Sequence, residues 1–183
     1  MNKIFIFVVL CVLSLYSYAQ SHMTFKGMEL NCTSKDLKNS LVSQGYRFMG
    51  EVYDMYLLEG TFAGEHAEIF VVGFNDSKLV QDIEVKFDEE ATWESLKSKY
   101  FLFKSSLSDK YGEGVSTETF LDSYCDGCGD ELGAISANKC QYSTVFPADN
   151  GSVTVSIDKA KKVKIVYKVD LNNSKEQQRK SDL

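Results

Sequence analysis

The chain has 183 residues, 44% of them hydrophobic and 13% aromatic, with one proline and a formal net charge of −6. That length suits one domain with a normal core, and the aromatic content with so little proline excludes disorder across its body. Mild acidity without a basic stripe excludes nucleic acid as the expected partner.

Residues 1–19 read as a secretory signal peptide. Lys3 supplies the positive start, Ile4 to Leu15 is an almost unbroken apolar run, and Ser17-Tyr18-Ala19 is a small-x-small cleavage site leaving Gln20 as the new N-terminus. The apolar run is too short to span a membrane, and no later segment approaches the roughly 20 apolar residues a spanning helix needs. The expectation is a secreted or periplasmic protein whose mature form, having lost Lys3, carries 19 basic against 26 acidic residues.

Phe25 to Leu30 reads as a short opening strand. Thr33 or Ser34 caps a brief helix through Gln44, with Leu37 and Leu41 on one face and Gly45 as its stop. Four strands are expected next: Tyr46 to Val52, Tyr56 to Phe62, Glu68 to Phe74 and Leu79 to Phe87. The Gly-, Asn- and Asp-rich connections between them suit tight antiparallel turns. A longer helix follows from about Thr92 to Tyr111, because Trp93, Leu96, Tyr100, Phe103, Leu107 and Tyr111 recur at steps of three and four. Asp88, Glu89 and Glu90 precede its positive end, and Gly112 closes it. Four more strands are expected at Val115 to Leu121, Lys139 to Phe146, Ser152 to Ile157 and Val163 to Val169. Asn172 to Leu183 is polar and aperiodic, the pattern of a flexible tail.

The second half echoes the first. The strands beginning at Ile69 and Val80 are matched by those beginning at Ser152 and Val163, an offset of 83 (69 to 152, 80 to 163), and Leu37 to Leu41 is matched by Phe103 to Leu107 at an offset of 66. These matches predict an α+β fold at 20–171, made of two tandem helix-plus-four-strand units, about 25–90 and 91–170. Together the units form a largely antiparallel sheet with helices on one face. The later half carries an insertion at 122–138 that holds cysteines. The uncovered face of the sheet should present Asp82, Glu84, Lys86, Thr154, Ser156, Lys164 and Lys168. These residues either solvate an exposed face or form a surface for a protein partner.

Phe25-Lys26-Gly27-Met28, Leu58-Glu59-Gly60-Thr61-Phe62-Ala63-Gly64, Thr92-Trp93-x-x-Leu96, Lys110-Tyr111-Gly112, Cys140-x-Tyr142-x-Thr144-x-Phe146 and Gly151-Ser152-Val153 come in one order, before a terminal Asp182-Leu183. In this the chain resembles a group of small secreted proteins of unknown function common in gut Bacteroidetes. The likeness covers nearly the whole mature chain, and it departs at Glu113, where such proteins often have proline. Its motifs are strand edges, turns and helix ends, so it implies no catalytic residue. The tandem plan is also similar to that of the beta-lactamase inhibitory protein, in which two such units form one curved sheet whose open face grips an enzyme. That likeness implies protein binding at the level of topology alone.

Removal of the signal leaves Cys32, Cys125, Cys128 and Cys140. An even count in an exported protein reads first as disulfides, with three possible pairings; Cys140 with Cys125 or Cys128 is expected, pinning the base of the insertion. Cys125-Asp126-Gly127-Cys128 also has the spacing of a thiol–disulfide redox pair. Its glycines and the surrounding Asp122, Asp126, Asp130 and Glu131 oppose the lowered thiol pKa such a pair needs. Zinc on four thiolates lacks a second short spacing. Calcium on the acidic loop lacks the alternating ligand pattern. The two histidines are His22, near the new terminus, and His66, expected in a turn; no elbow motif, phosphate loop or metal-binding His pair accompanies them. A non-enzymatic protein binder without cofactor or metal is the expectation, with a thiol–disulfide redox protein using Cys125 and Cys128 as the alternative.

Overall fold

The computed structural model describes residues 23–74 and 78–170, so the expected signal segment 1–19 and tail 172–183 lie outside the described residues. The fold is mixed α+β with an antiparallel sheet. A small hairpin, β1 (Thr24–Phe25) and β2 (Met28–Glu29), comes first. Helix α1 (Ser34–Ser43) and strands β3 (Arg47–Val52), β4 (Met55–Phe62), β5 (Glu65–Phe74) and β6 (Leu79–Glu89) follow. Then come α2 (Trp93–Tyr111), β7 (Val115–Phe120), the short α3 (Glu131–Ser136), β8 (Cys140–Ala148), β9 (Gly151–Ile157) and β10 (Lys162–Val169).

Both long helices start where a threonine side chain replaces a missing intrahelical acceptor. Thr33 accepts the Asp36 N–H at 3.1 Å, and Thr92 accepts the Ser95 N–H at 3.2 Å. Leu37 and Leu41 of α1 are buried, as are all six residues of the α2 stripe. Gly112 ends α2 at φ +84°, a left-handed conformation that strains any residue with a Cβ.

Among the described residues eight strands form one sheet in the order β3-β4-β5-β6-β10-β9-β8-β7. The strands after α1 thus occupy one half and those after α2 the other, meeting at β6 and β10. Every pairing is antiparallel, so directly opposed residues share a face and their registers can be chained into rows. One row, Leu58–Ile69–Val85–Ile165–Val155–Thr144, is buried from β4 to β8. The next, Tyr56–Val71–Ile83–Tyr167–Val153–Phe146, is buried as well. Both helices cover this face, α2 stacking Phe103 on Phe87 at 4.3 Å between ring centroids.

Two expectations are corrected. The stretch Phe25 to Leu30 is not one strand but a hairpin, because Lys26 and Gly27 both take positive φ and reverse the chain. It sits against the C-terminal ends of both helices: the Gln44 side chain donates to the Lys26 carbonyl and Lys110 donates to that of Thr24. Phe25 thereby stacks on Phe62 and meets Tyr167 edge-on. The echo at an offset of 83 is out of phase with the pleat over most of its length. It matches Val80 with Val163, both buried, but it matches buried Ile69 with half-buried Ser152 and buried Ile83 with half-buried Val166, each on the opposite face. Burial agrees at even offsets, 84 for Ile69 with Val153 and 82 for Ile83 with Ile165, since successive strand residues alternate faces. The helical echo at 66 keeps its phase: Leu37, Leu41, Phe103 and Leu107 are all buried.

Phe87→Ala removes a fully buried ring from a central strand and should cost about 3–5 kcal/mol in urea denaturation. Val115→Ala, at a residue 77% exposed, should change stability by less than about 0.5 kcal/mol. Equal losses at the two positions would contradict this placement of the core.

Candidate functional site

The face of the sheet away from the helices carries all seven residues expected there. Asp82 lies opposite Lys168, which lies opposite Ser152; Glu84 opposite Val166 and then Thr154; Lys86 opposite Lys164 and then Ser156. They therefore form three rungs on the adjacent strands β6, β10 and β9. Lys86 and Lys164, like charges directly opposed, would repel. Glu84 lies 3.5 Å from each ammonium, and the three side chains are only 28–32% exposed because they screen one another. Lys86 also lies over the Phe70 ring at 4.6 Å, a cation–π contact. Burial pushes the Asp82 carboxyl up, while Lys168 opposes that shift.

This face is less polar than expected. The rung through Glu84 continues outward as Leu57 and Phe70 on one side and, beyond Thr154, as Val145 and Val115 on the other. Met55 and Val72 join the rung of Asp82. A signal was present in the sequence: Met55 to Leu58 and Ile69 to Val72 are unbroken apolar runs, which place apolar groups on both faces of a strand. His66 lies within β5 and not in a turn; its Nδ1 is 3.0 Å from an Asp88 carboxylate oxygen, an exposed pair at the margin of the same face.

The cysteines differ from expectation. Cys125 bonds Cys128, while among the described residues Cys32 and Cys140 are free thiols. Sequence proximity decides this: Cys125 and Cys128 flank one turn, closed by the Cys128 N–H to the Cys125 carbonyl, with Cα atoms 5.4 Å apart. Cys140 alternates with exposed Gln141 and lies on the helix-covered face of β8 with Tyr142. Burial, followed by the nearby Asp126 charge, raises its thiol pKa to about 11. Burial raises that of Cys32 too.

Three carboxylates of the insertion, Asp122, Asp126 and Glu131, hold it by reaching different partners. Asp126 accepts the Trp93 indole N–H at 2.7 Å and pairs with Lys97. Asp122 pairs with Lys139 at 2.8 Å, and Glu131 accepts the Gly129 N–H at 3.0 Å. Among the described residues no group of three or more His, Cys, Asp or Glu is placed to share a metal ion.

Trp93 is the one tryptophan of the chain, so its emission reports on this latch. Lys97 first, and then Trp93, holds the Asp126 carboxyl below the usual carboxylate range. A depressed folded pKa contributes stability that is complete above the unfolded value and lost as pH falls through the folded one. Trp93 emission should therefore hold steady from neutral pH to about 4 and shift only below that, and Asp126→Asn should remove the acid shift. A transition centred above the ordinary Asp range, or one retained in the variant, would refute the latch. No protein-family model matches this chain, and neither does any curated protein or solved structure.

Proposed function

We propose that the protein is a secreted or periplasmic, non-enzymatic protein-binding module, inhibitor-like or an envelope accessory, which docks its partner on the open face of the sheet. One observation carries the reading: a charged centre at Glu84, Lys86 and Lys164 is bordered on the same face by Leu57, Phe70, Val72 and Val145. Protein interfaces combine such groups, apolar contact supplying affinity and charge supplying orientation. The reading includes two tandem helix-plus-four-strand units. In its favour are the element order, the meeting of the halves at β6 and β10, and the helical echo at 66. The resemblance to small secreted Bacteroidetes proteins and to the plan of the beta-lactamase inhibitory protein adds to it.

A second reading, thiol–disulfide exchange, has the exposed Cys125–Cys128 bond in its favour. The acidic neighbours Asp122 and Asp126 disfavour a thiolate there. Rapid alkylation of Cys125 at neutral pH after mild reduction would favour exchange, and a pair that stays bridged under a physiological dithiol would remove it.

The binding reading is tested by capture from envelope and secreted fractions with the mature chain as bait. Glu84→Lys and Lys164→Glu should each weaken the captured complex by about tenfold. Glu84→Lys, which sets a third like charge beside Lys86 and Lys164, should also lower the melting temperature, so circular dichroism is used to show that both variants are folded at the capture temperature. Capture that is indifferent to both reversals would sink the proposal.

A further inference from the structure

We infer that the outer edge of β7 pairs with the β7 of a second copy of this chain, continuing the sheet antiparallel across a two-fold axis. This surface is separate from the open face, and the inference does not rest on the binding function proposed above.

Strand β7 ends the sheet, and among the described residues it pairs only with β8. One row of its backbone N–H and C=O groups therefore faces outward, and those groups select an extended strand as their partner. Sheet edges are ordinarily blunted by proline, lysine or a bulge. The opposite edge, β3, has such a defence: its register shifts between Phe48 and Gly50, and it begins at Arg47. In contrast, Val115-Ser116-Thr117-Glu118-Thr119-Phe120 pairs with β8 residue for residue and contains no proline, glycine or basic side chain. Its only charge, Glu118, is already held against α2 by Lys104 at 2.5 Å and the Tyr100 hydroxyl at 3.0 Å. Val115, Thr117 and Thr119 stand opposite Val145, Ser143 and Gln141, so this end of the open face is uncharged.

Charge and pleat together choose the register. Opposed residues must share a face, which forbids pairing Thr117 with Glu118. Placing Glu118 on the axis would set two carboxylates against each other. With Thr117 on the axis, Val115 faces Thr119 and Ser116 faces Glu118, β-prone pairs without like charges.

A six-residue edge buries little surface, so the dimer should be weak. Sedimentation velocity of the mature chain from about 10 µM to about 1 mM should show a concentration-dependent dimer. Thr117→Lys and Thr117→Glu each put like charges on the axis and should weaken it about fivefold or more, whereas an equimolar mixture of the two variants should restore it as a heterodimer. The mixture also serves as the folding control, since misfolded variants would not complement. A monomer throughout, a dimer unmoved by either substitution, or a mixture that fails to recover would each overturn the inference.

Discussion

The seam between β6 and β10 governs both surfaces of this molecule. On one face it sets Ile83 against Tyr167 and Val85 against Ile165, all buried beneath the helices. The same register necessarily sets Lys86 against Lys164 on the other face. Two opposed ammonium groups would destabilise the seam, and Glu84, close to both, offsets the repulsion. A slip of one residue would expose the core and bury that charge cluster, so core and candidate surface obey a single constraint.

The helix-covered side shows how polar groups are accommodated in a core rich in aromatics. Thr144 is fully buried, yet its hydroxyl lies 2.6 Å from that of Tyr100 and 2.9 Å from that of Ser116. Tyr100 in turn donates to Glu118, linking α2 to the outermost strand. Burial pushes the Tyr100 phenol well above its ordinary pKa, so it remains a neutral donor. The hydroxyls of Thr144 and Tyr100 thus have partners and the cost of desolvating them is offset, whereas the buried Tyr111 hydroxyl finds none among the described residues. At the start of the same helix, Trp93 is met edge-on by Phe120 and Tyr142 while its N–H leaves the cluster for Asp126. The aromatic core and the insertion are joined through that one side chain.

The disulfide shows a local contact prevailing over a distant one. A bridge from Cys140 would have closed a longer loop and stabilised the fold more, about 3 kcal/mol in the chain-entropy model against about 2 for the short ring. Cys140, however, is turned toward the helix-covered face by the pleat of β8, whereas Cys125 and Cys128 are brought together by a single turn. Asp126, inside that ring, is the residue that anchors the loop to α2, so the bridge braces the latch more than it braces the domain.

Local periodicity was enough to determine the two long helices, the eight main strands, their approximate ends and, where the pattern alternates, the face a residue takes. A step of 3.6 or 2 residues is written into neighbouring positions and needs no knowledge of the rest of the chain. Leu37 with Leu41, and Ile83 with Val85, are buried for that reason. Only the tertiary structure decided how these pieces meet. The β6–β10 register, the placement of Phe70 beside Glu84 and of Val145 farther along the same rung, the Lys26-Gly27 reversal that turns one expected strand into a hairpin, and the choice of Cys128 as partner of Cys125 all depend on distances between residues. Pattern along the chain carries no such distance, and for that reason the echo at 83 could look persuasive while lying, over most of its length, one residue out of phase with the sheet.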